Sequence, residues 1–167
     1  MPSITPPEFI DSLGGTTAGI RQWVTFEEFG AAIQAANEEV VRWLAARGTE
    51  PKGLFYIRYF VIDMPRRMEV EIGFFIDPGP TSEGRVTVSE LPAGRYASMR
   101  YTGDYDGLMN ATAMFIGWAK ETGVEWDAWD TPEGHAFAAR IELYQNGPMD
   151  EPDPEKWITD IAIKLAD

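Results

Sequence analysis

Glu142 stands in the stretch Phe137-Ala138-Ala139-Arg140-Ile141-Glu142-Leu143-Tyr144. Alternation along a β-strand puts Arg140, Glu142 and Tyr144 on one face and Ile141 and Leu143 on the other. A carboxylate turned into an aromatic cleft loses hydration, which raises its pKa and leaves a charge that a cationic ligand would satisfy. The same raised pKa is what a general base requires near neutral pH. The competing role for Glu142 is structural, paired with Arg140 or Arg58 or exposed on the surface. Tyr144 shares the proposed face, and Tyr101, Tyr105, Trp23, Tyr56 and Phe75 are the aromatic candidates from other elements. An aromatic face stacks flat ligands and attracts cations, each contact contributing roughly 0.5–2 kcal/mol when desolvated. Trp126 and Trp129 fall in a loop-like segment, Val124 to Glu133, where they either form a lid over the cleft or cover a helix end.

Much other chemistry is excluded by composition. The chain has no cysteine and one histidine, His135. Disulfides, thiolate metal sites and multi-histidine zinc sites are therefore out, no metal or cofactor is expected, and His135 reads as a strand-edge residue. The formal net charge of -13 repels the phosphate backbone, so direct nucleic-acid binding is not expected. A homodimer or a protein partner with a basic surface remains open. No run of about 18 apolar residues is present and the N-terminus lacks the order of a secretory signal, so the expected location is the cytoplasm.

The elements that must position these residues come in two copies. At an offset of 75 residues Ala18-Gly19 recurs as Ala93-Gly94, Ile33 as Leu108, Ala36 as Ala111, Val40 as Phe115, Trp43 as Trp118 and Gly48 as Gly123. Each copy opens with a strand, Thr17 to Phe26 and Arg95 to Thr102, followed by a helix that carries its apolar residues at spacings of three and four and ends at a glycine. Two strands follow in each, Leu54 to Phe60 and Met68 to Ile76, then Phe137 to Tyr144 and Trp157 to Leu165. The matched positions of Trp43 and Trp118 predict that both are core residues. The expected fold is α+β: one domain over 1–167, with copy one about 15–77 and copy two about 85–167. An antiparallel sheet carries two helices on one side and leaves a cleft between the copies.

Three segments resemble the GyrI-like small-molecule-binding family, the effector-binding domain of some AraC-type and MerR-type multidrug-sensing transcription regulators of bacteria. They are Leu91-Pro92-Ala93-Gly94-Arg95-Tyr96-Ala97, Arg100-Tyr101-Thr102-Gly103-Asp104-Tyr105-Asp106-Gly107-Leu108, and Arg140-Ile141-Glu142-Leu143-Tyr144 with Thr159-Asp160-Ile161. The resemblance implies a pair of strand-helix-strand-strand modules about a pseudo-twofold axis, with a ligand in the cleft and a glutamate matching Glu142 at its bottom. Tyr101 stands where many relatives have histidine, and Asn146-Gly147-Pro148 where they have Asn-Asp-Pro, so the role of that histidine does not transfer. The implied function is a stand-alone sensor or sequestering protein for an aromatic or cationic compound. No helix-turn-helix segment precedes the domain, so a sensor is expected to reach DNA through a separate partner. The family also holds hydrolases of strained cyclopropane rings in genotoxic compounds, in which Glu142 would be the catalytic residue, and takes its name from a gyrase inhibitor. Both are alternatives that the resemblance leaves open.

Overall fold

The computed structural model describes residues 1–11, 14–51 and 53–167. Eleven strands among these form one sheet, with two α-helices and two short 3₁₀ turns. The first half runs through β1 (Ser3–Ile4), β2 (Glu8–Asp11), β3 (Gly15–Val24), α1 (Phe29–Ala46), β4 (Phe55–Asp63) and β5 (Arg67–Phe75). Then come β6 (Val86–Leu91), β7 (Arg95–Thr102), a 3₁₀ turn (Tyr105–Gly107) and α2 (Leu108–Thr122). The chain closes with β8 (Ala128–Thr131), β9 (Gly134–Phe137), β10 (Arg140–Tyr144), a 3₁₀ turn (Pro154–Lys156) and β11 (Ile158–Lys164).

The sheet order is β1-β7-β11-β10-β4-β5-β3-β6, with every pair antiparallel and β2, β8 and β9 attached at its margins. The strand-helix-strand-strand unit recurs as β3-α1-β4-β5 and β7-α2-β10-β11, and the two units join where β4 pairs with β10. The helices repeat at the spacing of the sequence. Ala36, Val40 and Leu44 are the buried residues of α1, and Ala111, Phe115 and Ala119 those of α2, each 75 positions on. Gly48 (φ 64°) and Gly123 (φ 74°) end the two helices in the left-handed region that a side chain would disfavour.

Register fixes both helices to one side of the sheet. Ile57 of β4, Glu142 of β10 and Ile161 of β11 lie in a single cross-strand row, hence on one face. Ile57 belongs to the core beneath α1, with Ile20, Val70 and Ile72. Ile161 belongs to the core beneath α2, with Met99, Phe115 and Ile163. The opposite face is built from Tyr56, Tyr96, Ile141, Leu143 and Ala162. Glu142 thus sits on the helix side, between the two cores.

Several expectations need correction. Trp43 and Trp118 are half-buried, because Leu44 and Ala119, one residue further on, take the inward positions. Trp43 lies under the Arg47 guanidinium, 3.7 Å from its ring centroid, and Trp118 stacks on Phe115 at 6.0 Å. The supposed loop from Val124 to Glu133 contains β8, which pairs with β9 as a hairpin added to the far end of β4. The expected strand from Phe137 to Tyr144 is broken at Ala138, whose N–H donates to Asp127. Strand β6, unforeseen, covers β3 on its outer side.

Candidate functional site

β10 delivers Glu142 to the seam between the copies, and β4 delivers Tyr59 from the neighbouring strand. Tyr59 Oη donates to Glu142 Oε1 at 2.8 Å and Tyr144 Oη donates to the same oxygen at 2.7 Å. Glu142 is only 8% exposed. Its Oε2 makes no hydrogen bond to a described residue, yet it is not sealed away from solvent. That oxygen is free to meet a donor from the cleft. Arg140, on the same face, lies over the rings of Phe137 and Tyr59, with its guanidinium 4.9 and 5.7 Å from their centroids.

Burial dominates the electrostatics. Desolvation pushes the Glu142 carboxyl above its ordinary pKa, against the opposing pull of the Tyr144 and Tyr59 hydroxyls and the Arg140 charge. Desolvation likewise drives the Tyr59 and Tyr144 phenols well above 10, reinforced by the adjacent carboxylate, so both stay protonated and remain donors. Burial lowers Arg140, with Tyr59 and Glu142 acting in the other direction. The result is a half-satisfied anion in apolar surroundings, which prefers either a proton or a cation.

Rings wall this anion on both sides. Phe74 meets Phe55 at 5.3 Å, Phe55 meets Tyr144 at 5.5 Å, Tyr144 meets Tyr105 edge-on at 5.7 Å, and Tyr105 stacks on Trp157 at 4.6 Å. Phe29, at the start of α1, packs edge-on against Tyr59 at 6.1 Å. Each wall comes from a different copy: Phe29, Phe55 and Tyr59 from the first, Tyr105, Tyr144 and Trp157 from the second. The rings flank the carboxylate, and one hollow of the surface lies apart from it, bordered by Thr5, Arg100 and Asp160.

Of the residues singled out from sequence, Glu142, Tyr144 and Tyr105 are together. Tyr101 is buried beneath α2, and its Oη donates to the Asp104 carbonyl at 2.6 Å, closing the turn into the helix. Tyr56 and Phe75 lie on the opposite face, in contact at 5.4 Å, because alternation from Ile57 turns Tyr56 away from Glu142. Trp23 is also on that face, opposite Glu69 in register and stacked under Arg67 at 4.3 Å. Trp126 packs on Phe115, in the middle of α2, at 5.6 Å and belongs to the core beneath that helix. Trp129 is 50% exposed on β8. Neither tryptophan forms a lid. Sequence reasoning missed Tyr59, Phe55, Phe29 and Trp157. Alternation gives Phe55, Ile57 and Tyr59 a common face, but only the β4-β10 register shows that this face meets Glu142. Among the described residues no group of three or more His, Asp or Glu could hold a metal, and no helix is long and apolar enough to cross a membrane.

Comparison with known proteins extends this picture. The model of the GyrI-like small molecule binding domain matches residues 6–166. No curated protein matches the chain by sequence. Among solved structures, the EcmrR C-terminal domain shares 16% identity at a TM-score of 0.68, covering 99% of this chain and 98% of that one. In the EcmrR–DNA complex the same match spans 58% of the EcmrR chain. SAV2435 bound to tetraphenylphosphonium shares 13% identity at a TM-score of 0.68, over 97% of this chain and 94% of its own. A structure described as a hydrolase from Listeria innocua shares 15% at 0.62, over 96% and 91%. At these identities the structures establish a common fold.

Proposed function

We propose, from the premise that this chain belongs to the GyrI-like small-molecule-binding domain family, that it binds an aromatic or hydrophobic cation at Glu142, as a sensor or sequestering protein of the cytoplasm. The observation that carries the reading is the half-satisfied Glu142 carboxylate, raised in pKa by burial and enclosed by rings from both copies. A cation replaces the proton that this environment favours, and the surrounding rings contribute through their π faces. The tetraphenylphosphonium bound to SAV2435 is an aromatic cation, which supports the same class of ligand here. On this reading residues 6–166 act as one unit.

The test is a thermal-shift titration with tetraphenylphosphonium and with the neutral triphenylmethanol, on the wild type and on Glu142→Gln. The cation raises the melting temperature of the wild type far more than that of the variant, while the neutral compound treats the two alike. Equal shifts in both proteins with both compounds reject the reading. A second reading, hydrolysis with Glu142 as general base, is favoured by the raised carboxyl pKa and by the Listeria innocua hydrolase of the same fold. Recovery of the ligand chemically unchanged after prolonged incubation counts against it.

A further inference from the structure

Thr159 is fully buried, and its hydroxyl makes no hydrogen bond to any described residue. It stands in β11 directly across from Tyr144 on one side and from Tyr101 on the other. That register puts it on the helix side of the sheet, one step along the strand from Ile161, the residue opposite Glu142. Thr159 and Glu142 are therefore diagonal neighbours, with backbones about 7–8 Å apart. Tyr144 connects them, its backbone across from Thr159 and its Oη on the Glu142 carboxylate. Among the described residues the two other buried side-chain polar atoms without a partner, Trp43 Nε1 and Arg58 Nε, lie on α1 and on the opposite face of the sheet.

A buried strand position suits valine, which has the shape of threonine and no polar atom to satisfy. The hydroxyl at 159 is a cost to the folded chain unless something else uses it. Because folding has already stripped its water, a ligand group that reaches it gains a hydrogen bond without displacing solvent from the protein side. A hydroxyl both donates and accepts, whereas an ionised carboxylate only accepts.

We propose that Thr159 is the second polar anchor of the cleft, and that the natural ligand is a two-ended aromatic cation. Its cationic group meets Glu142, its ring lies along Tyr144, and a hydroxyl, carbonyl or amide at the other end meets Thr159. This rests on the reading of Glu142 as the cation site. It sets the ligand apart from a purely lipophilic cation, which leaves Thr159 unpaired.

The test uses tyramine and 4-methylphenethylamine, two ammonium ions that differ by a hydroxyl against a methyl group at the end remote from the charge. Calorimetry compares them on the wild type, Thr159→Val, Thr159→Ser and Glu142→Gln, with the melting temperature of each variant as the check on folding. The wild type and Thr159→Ser hold tyramine about tenfold more tightly than its methyl analogue, as one added hydrogen bond supplies. In Thr159→Val the preference falls to less than about twofold, with the affinity for the methyl analogue and the melting temperature maintained. Absence of preference in the wild type, or its survival in Thr159→Val, overturns the assignment of Thr159. If the two amines bind equally and weaken equally in Glu142→Gln, the cation site stands and Thr159 alone is refuted. If neither amine binds a wild type that does bind tetraphenylphosphonium, the Thr159 proposal falls and the cation site stands; if tetraphenylphosphonium fails as well, both readings fall.

Discussion

Replacing Tyr59 by phenylalanine removes one of the two hydroxyls on Glu142 Oε1 and leaves the ring in place against Phe29. The cost depends on the charge of the carboxyl. A hydrogen bond to an ionised group contributes about 1.5–3 kcal/mol and one between neutral groups about 0.5–1.5 kcal/mol. Tyr59→Phe therefore costs about 1 kcal/mol more where Glu142 is ionised than where it is protonated. The sign with pH follows from burial. The folded-state pKa of Glu142 lies above the unfolded value of about 4.3, so the native state holds a proton that the unfolded chain has released. Stability from this residue is greatest below the unfolded value. It falls as pH climbs through the gap to the folded value, and stays low above it. The Tyr59 hydroxyl lowers the folded-state pKa, so its removal widens the gap upward and adds its extra loss at the alkaline end. Urea titrations from about pH 4 to about pH 9, on the wild type, Tyr59→Phe, Glu142→Gln and the double variant, separate the effects. The Tyr59→Phe cost should grow with pH in the wild-type background and become flat in the Glu142→Gln background, where no carboxyl is left to ionise. A cost equal at all pH values, or a pH dependence that persists in the double variant, refutes the reasoning.

Two further substitutions probe the frame around the site. Phe115→Ala should cost about 3–5 kcal/mol by denaturant titration, the range for a fully buried aromatic, while Trp118→Ala, half-exposed beside it, costs no more than about half as much. Gly19→Ala should destabilise by about 1–3 kcal/mol, because its Cβ would collide with Tyr56 Oη and Glu71 Cγ, breaking the 2.5 Å bond from Tyr56 to Glu71 on the opposite face.

The duplication was readable from sequence because helices write their buried face at fixed local spacing, so Ala36 and Val40 announce Ala111 and Phe115. The same local logic assigned Glu142 and Tyr144 to one face. It stopped at the neighbouring strand. Tyr56 and Tyr59 are three residues apart in β4, and which of them meets Glu142 is decided by the pairing of Ile57 with Glu142, a contact 85 residues distant (142 − 57). A β-bulge between Tyr59 and Val61 disturbs the alternation further along. The tryptophans misled for a related reason. A helical stripe is about as wide as two adjacent residues, so Trp43 and Leu44 compete for the inward position, and the smaller side chain takes it where the sheet lies close.

Proton release on binding goes to the heart of the proposal. A carboxyl with a raised pKa is partly protonated in mildly acidic solution, and a cation that binds beside its ionised form must expel that proton. Calorimetry of tetraphenylphosphonium binding, in buffers of different ionisation enthalpy at the same mildly acidic pH, counts the protons expelled. The wild type should release close to one proton for each cation at the acid end of the Glu142 titration and progressively fewer as pH rises, with affinity increasing in step. Glu142→Gln should release none and bind the cation about tenfold or more weakly at neutral pH, the equivalent of losing one charge-assisted contact. Equal affinities in the two proteins, with no proton released by the wild type at any pH, would contradict the assignment of Glu142 as the cation site.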